Sequence, residues 1–454
     1  MHGERAVTPL ERLGEWIAAL TPGRIPSDQR RLTRLRLIDH FGLIAAARGH
    51  DAAKALCAFA DANPGVGATV LVTGRPALPA VAALVHGSLA HARDFDDTFA
   101  DSVIHPGSTV GAAALAAAEA ADAPFEALNT AMVVGYEVAV RLGAVAGRGF
   151  HARGFHATSV VGPIAAAAAA GYLMRLDTSQ LADAMGLSTS MSGGLLAFLG
   201  DGGWSKWLHC GWSAHGGLIA ALLAGTGYRG PRHGLDHRYG LYGAFLGAPD
   251  ADLSALTADL GEIWLGAAAV SKRYPCAHVI QPYVDAALAL RAELAVESIE
   301  AVRCVMAPWA MPIVGEPRAV KIAPRNDLEA IASLPFMVAA ALIEGRVDLA
   351  TLSPETIARA DIRALAARIQ CETDAKLGAG FDGRAEFVCT DGQLLSRAVG
   401  NAPSSETHII AKFTANAARC PQPARDALLA ALLDETPGSR NLISLATAAI
   451  SSSG

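Results

Sequence analysis

The chain has 454 residues, of which 52% are hydrophobic and only 18% charged, with a formal net charge of −6. That length can bury a large core in two or three domains, and the lack of basic excess excludes a nucleic-acid footprint. Seven scattered cysteines without a Cys-x-x-Cys pair exclude a disulfide framework and offer no ligand set for an iron–sulfur cluster or another metal.

The N-terminal segment carries Glu4, Arg5, Glu11 and Arg12 with no apolar run between them, so no signal peptide is expected and a cytoplasmic protein is. Alanine- and leucine-rich helical patterns then follow over residues 29–46, 78–92, 110–121, 128–145, 180–190 and 213–224. Most are apolar on more than one face, as buried helices are. Residues 157–174 are eighteen without a charge, long enough to tempt a membrane assignment. They are mostly alanine and glycine with Pro163 inside, which reads instead as a close-packed bundle helix, and no membrane partner is expected. The pattern changes after about 270. Residues 299–306 alternate partly as a strand, and 386–390 and 393–399 flank Asp391-Gly392, a hairpin signal. Helical patterns at 327–343 and 353–368 make this block α+β, and 421–433 returns to helix. The reading is a mainly α chain: a helical domain over 1–268, an α+β unit over 269–400, and a tail over 401–454 that packs back on the helical domain.

The polar chemistry is concentrated at the starts of the helices. Residues 91–109 (HARDFDDTFADSVIHPGST) place four carboxylates and two imidazoles between apolar segments, and end in His105-Pro106 directly before a helical pattern. A helix N-terminus there favours anions through its free N–H groups and dipole. Gly154-Phe155-His156, Trp204-Ser205-Lys206-Trp207-Leu208-His209 and Lys272-Arg273-Tyr274-Pro275-Cys276-Ala277-His278 repeat the arrangement, each setting a base at a helix start. One such residue is ordinarily structural. Four converging on one cleft would bind a polyanionic ligand, and acid, hydroxyl and imidazole beside it suit proton transfer on a carboxylate.

These pieces, with Ser333-Leu334-Pro335-Phe336, stand in the order and spacing of the MmgE/PrpD family, which the chain resembles over nearly its whole length. That family includes 2-methylcitrate dehydratases, cis-aconitate decarboxylases and iminodisuccinate epimerases. The resemblance implies a large helical domain built from both chain ends, a smaller α+β lid, an active site between them, a homodimer, and chemistry without a cofactor. Two departures bear on substrate. Trp207 follows the lysine where relatives often carry a base, and Gln281 stands where many carry a second histidine. Both suit a less charged or partly apolar substrate.

The reactions of that family share one difficulty: making or protonating a carbanion next to a carboxylate, tolerable only where fixed cations meet the charge. Lys206, Lys272 and Arg273 are the candidates for that clamp. His105 is the first choice for proton transfer, because imidazole titrates near neutrality. Asp94 orients His105 or serves as a second acid/base; His156 and His278 are further donors. Thr98, His209, Trp207 and Tyr274 are candidate substrate contacts, although aromatic packing competes for the last two. Asp96 and Asp97 read as turn caps. The leading expectation is a dehydratase of a 2-methylcitrate-like hydroxy polycarboxylate working through an enolate-like carbanion. Decarboxylation of a cis-aconitate-type substrate and epimerisation beside a carboxylate are the alternatives. A non-catalytic carboxylate-binding protein is more remote, because binding alone needs no positioned proton carrier. Asp94-Phe95-Asp96-Asp97 also fits the acid motif of protonating terpene cyclases, but 6% aromatic content does not suit carbocation chemistry.

Overall fold

The computed structural model describes residues 7–200, 202–378, 380–434 and 437–451. It is mainly α-helical with a smaller α+β part. Its hydrophobic residues form two separate cores. One gathers side chains from Leu10 to Ala269 together with Ile409 to Ile450; the other runs from Cys276 to Val399.

The first core is a bundle of apolar helices: Ser27–Ala47, Pro79–His91, Pro106–Ala121, Phe125–Ala146, Ala157–Leu173, Thr178–Thr189 and Ser205–Gly225. Small residues let their backbones meet. In Ala157–Leu173 the whole run Ala165–Ala170 is fully buried, so close approach replaces large side chains as the source of packing contacts. Among the described residues, Phe125–Ala146 is the helix long and apolar enough to cross a membrane, and 89% of its apolar window is buried within the fold. The 157–174 pattern forms a shorter helix. The first core is not purely helical: β1 (Pro64–Val70) and β2 (Arg75–Ala77) form a small antiparallel hairpin that the alanine-rich pattern did not signal. Glu119 secures it, accepting from the Thr69 amide and hydroxyl at 2.8 and 2.6 Å.

In the second core β3 (Ile299–Met306) pairs in parallel with β4 (Ile369–Thr373) and antiparallel with β5 (Gly383–Cys389), which pairs with β6 (Leu394–Val399). The β5–β6 turn holds Gly392 at φ 85°, the left-handed conformation that glycine adopts without strain. The helical pattern of 327–343 breaks into Asp327–Ile331 and Leu334–Glu344, because Ser333 caps the second helix and Pro335 sits in its first turn.

The chain after residue 400 returns to the first core through Glu406–Asn416, Gln422–Asp434 and Ser439–Ile450. Phe413 packs so closely on Gly42 that a Cβ there would sit 3.2 Å from it. Lys412 pairs with Asp39 at 2.7 Å and donates to the Phe95 carbonyl at 2.6 Å, so the tail holds the acidic 94–97 loop from beneath. Thr98 and Val270 exchange backbone hydrogen bonds at 2.9 and 3.0 Å. That bridge brings the Lys272 segment against the same loop.

Candidate active site

Asp94, His105, His156, Lys206, Lys272 and His278 line one cavity of about 320 Å³ between the helical bundle and the α+β part. Local structure explains how each arrives there. Asp94 follows the C-terminus of Pro79–His91 with φ 47°, a left-handed conformation that Asp tolerates better than most residues. The turn sets its carboxylate against two ammonium groups. Lys206 Nζ and Lys272 Nζ each lie 2.7 Å from Asp94 Oδ1, and Lys272 also donates to the Asp94 carbonyl at 2.6 Å. Burial alone would push this carboxyl up, but the two lysines, aided by His105 and His91, hold it well below the usual range. Asp94 is therefore held as an anion that fixes the clamp, which removes the role of proton carrier read from the sequence, while its charge still acts on His105.

His105 is oriented by a different set of neighbours. Its Nδ1 lies 3.0 Å from the Asp97 carbonyl and 3.2 Å from Thr98 Oγ1. The carbonyl can only accept, so Nδ1 carries the proton and Nε2 is the basic nitrogen. Asp96 Oδ1 is 3.5 Å from Nδ1, an electrostatic contact without hydrogen-bond geometry. Asp96 Oδ2 instead takes His91 Nδ1 at 2.8 Å and Ser108 Oγ at 2.6 Å. Burial dominates the His105 imidazole and drives its pKa well below the usual value. Burial thus favours the neutral imidazole, while the Asp96 and Asp94 carboxylates favour the charged one.

The helix start at Pro106 has its anion already. Asp97 Oδ1 accepts from the Gly107 amide at 2.9 Å, and Tyr136 donates to the other oxygen. A Cβ at Gly107 would lie 2.6 Å from Tyr136 Oη and 2.7 Å from Asp97 Oδ1, so only glycine admits the cap. Burial raises the Asp97 carboxyl to about 6 against the pull of Arg36. Asp97 is a cap, as the sequence suggested, and it occupies the position expected of a substrate carboxylate.

The remaining candidates separate. His156 starts the Ala157–Leu173 helix, its Nδ1 3.2 Å from His209 Nδ1 and its Nε2 buried without a partner. His209 stands behind His156 and holds it. His278 Nε2 meets Asn401 Oδ1 at 2.9 Å, and burial lowers the imidazole to about 3. Thr98 bonds to His105, and its place is beside the imidazole instead of on the cavity wall. Arg273 and Tyr274 turn away: both pair with Asp285 and line a second cleft against the tail. Trp207 is only 2% exposed, packed edge-on to His50 at 4.8 Å, because its position on Ser205–Gly225 faces the core. Lys206, one residue earlier in the first turn of that helix, points into the cavity.

Several lining residues left no trace in any motif. Lys321 reaches the cavity from the lid side, its Nζ donating to the Ile313 and Ala332 carbonyls at 2.7 Å each, and burial lowers it to about 8. Trp309 and Phe381 line the same side, with the Arg148 guanidinium 3.5 Å above the Trp309 ring. Among the described residues, the donor atoms of His91, His105 and His156, or of His91, Asp94, Asp96 and His105, lie within 4.8 Å of one another. Either group is compact enough to hold a metal ion. In the second, two lysine ammonium groups already neutralise Asp94, which weakens it as a cation site.

The chain is 32% identical over 240 residues to the "cis-aconitate decarboxylase-like protein oryM" of Aspergillus oryzae, covering 50% of this chain and 49% of the relative. It is 27% identical over 285 residues to the cis-aconitate decarboxylase of Aspergillus terreus, covering 60% and 58%. The Homo sapiens cis-aconitate decarboxylase is 27% identical over 313 residues, covering 66% and 63%. The matched part therefore spans about half to somewhat under two thirds of these relatives. The MmgE/PrpD N-terminal domain matches residues 11–254 and the MmgE/PrpD C-terminal domain residues 274–435. The chain belongs to the MmgE/PrpD family.

Proposed function

We propose that the protein is a lyase that decarboxylates an unsaturated polycarboxylate of the cis-aconitate class. The observation that carries this reading is one cavity holding a single-tautomer histidine, His105, opposite two lysines locked on Asp94. The named relatives favour decarboxylation over the dehydration expected first.

The chemistry follows from the charges. In a β,γ-unsaturated acid, the electrons of the breaking C–C bond pass through the alkene into a conjugated carboxylate as CO2 leaves. Lys206 and Lys272 hold that carboxylate; each ammonium keeps N–H donors beyond those spent on Asp94. Their charge stabilises the transition state more than the ground state, because negative charge concentrates there as the bond breaks. The bound polyanion also reverses the depression of the His105 pKa, so His105 takes up a proton as substrate arrives. Its imidazolium then protonates the carbon that received the charge, and the net reaction consumes one proton.

The direct test is incubation in D2O with cis-aconitate and with 2-methylcitrate, followed by NMR and CO2 detection. The proposal expects CO2 and one deuterium on the carbon gained by allylic shift. Water loss without CO2 would install the dehydratase, exchange without either would install an epimerase, and no reaction on any polycarboxylate would leave a binding protein. A homodimer is part of the same proposal. Trp204, Leu208 and Trp212 are 45%, 42% and 49% exposed at four-residue spacing around the start of Ser205–Gly225, an apolar stripe that a second copy would cover. Leu208→Glu should shift the mass measured by light scattering to that of one chain.

A further inference from the structure

The cavity has far more apolar wall than a compact tricarboxylate needs. Beyond Lys206 and Lys272 it continues along Leu196, Phe198 and Leu199 of the helical side and Trp309, Ile313 and Phe381 of the lid side. Its charge is small as well. Four cations line it, Lys206, Lys272, Lys321 and Arg325, against the three carboxylates of Asp94, Glu316 and Glu329. Arg325 is already spent on Glu329, and Lys206 and Lys272 share Asp94. Burial pushes His156 and His278 toward neutrality, so these two add little positive charge. A fully ionised tricarboxylate would leave more negative charge in this cavity than its cations balance. The four cations less the three carboxylates leave one positive charge, which the His105 imidazolium raises to two when substrate binds, so the site matches two carboxylates next to an apolar surface continuous with the point where they are held. Trp207, buried in the core, and Gln281, which bonds to the backbone around Tyr274, add no cation to the neighbourhood.

Resting on the decarboxylase reading above, we propose that the substrate is an unsaturated dicarboxylate in which an alkyl or aryl arm replaces one carboxylate of the aconitate skeleton. Lys206 and Lys272 hold one carboxylate, and the arm lies along Phe198, Trp309 and Phe381. The reaction keeps its balance. In a 3-alkylglutaconate the CH2–COO⁻ bond breaks, CO2 leaves, the electron pair passes through the alkene toward the remaining carboxylate, and His105 protonates the α-carbon.

The test separates binding from chemistry. Saturated 3-alkylglutarates cannot decarboxylate by this route, so calorimetry on 3-methyl-, 3-propyl- and 3-pentylglutarate reads the arm alone, with tricarballylate as the arm-less tricarboxylate. Affinity should rise by up to roughly fourfold per methylene, the increment expected for burying each CH2, and 3-pentylglutarate should bind at least tenfold more tightly than tricarballylate. Val320→Trp, on the lid wall, and Leu199→Gln, at a half-exposed position where folding is not at stake, should each flatten the dependence on arm length. Tighter binding of tricarballylate, or a length dependence that neither substitution touches, would overturn the proposal. CO2 release from 3-pentylglutaconate and from cis-aconitate is read separately. Absence of CO2 from both, with the binding series intact, would remove the decarboxylase reading and leave the arm; CO2 from cis-aconitate with no arm preference would do the reverse.

Discussion

The two walls of the cavity are built differently. On the helical side, Asp94, His105, His156 and Lys206 sit at ends of long helices, each tied by short polar contacts to a buried or half-buried neighbour. On the lid side, Val320 and Leu328 ride on five-residue helices and Trp309 on a single short turn, and their contribution is mostly surface. The difference separates two tasks. Proton transfer and charge stabilisation require groups fixed to fractions of an ångström, which only a densely packed bundle supplies. Choosing among substrates that share a reacting core requires a wall whose shape can vary without disturbing the chemistry.

The largest expected effect strikes the helical side. His105→Ala should lower the single-turnover rate by about 10²–10⁴-fold with a much smaller loss of affinity, since it removes the proton carrier and only the charge that the imidazole gains on binding. A near-normal rate would move His156 into its place. Lys206→Ala should cost roughly 10²–10³-fold in kcat/KM and weaken binding as well, and Lys206→Arg should not fully rescue it, because a planar guanidinium places its donors differently. Lys272→Ala should instead show in stability. It leaves the buried Asp94 carboxylate with one partner, a loss of about 3–5 kcal/mol by urea denaturation. If Lys272→Ala is as stable as the parent, Asp94 is not the fixed anion described here.

Asp97 gives a pH signature. Its folded pKa is raised from 3.8 to about 6, so the folded state holds the proton more tightly than the unfolded chain. Its contribution is full below about 4 and is lost as pH rises through 6, by roughly 3 kcal/mol in all. The stability gap between the parent and Asp97→Asn should therefore change by about 2 kcal/mol between pH 4.5 and 7; a constant gap would place the carboxyl at an ordinary pKa. The lid side should answer more weakly. Trp309→Leu should raise KM by about tenfold or less, near 1.4 kcal/mol, with a smaller change in kcat. The smallest expected effect is that of exhaustive chelation, which should leave the rate unchanged. Loss with recovery on adding a divalent cation would assign His91, His105 and His156 to a metal and remove the acid/base role from His105.

What could be read from the residues alone was whatever repeats locally. Periodicity separates the helical bundle from the α+β block near residue 270, and Asp391-Gly392 marks the β5–β6 hairpin. A base near each expected helix start picks out His105, His156, Lys206, Lys272 and His278, which the fold brings to one cavity, although Lys272 itself lies in an irregular segment ahead of the turn at His278–Ile280. The β1–β2 hairpin escaped because its glycines and alanines carry almost no periodic signal. The roles within 91–109 escaped for another reason. Asp94, Asp96 and Asp97 are three carboxylates within four residues of one loop, chemically alike in sequence. Their fates diverge through partners about 10 to 180 positions away: Lys206 and Lys272 for the first, Ser108 together with nearby His91 for the second, Gly107 and Tyr136 for the third. Arg273, Tyr274 and Trp207 share their motifs with true cavity residues, and only the direction of each side chain from its helix or turn sends them elsewhere. Trp309, Lys321 and Phe381 belong to no motif, since an apolar wall is made by any side chains of suitable size that tertiary packing happens to face inward. Local spacing thus names the reactive groups, because helix starts and turns are local. Charge pairing, tautomer and cavity shape are decided only when distant segments meet, because each depends on electrostatics and burial between residues the chain keeps far apart.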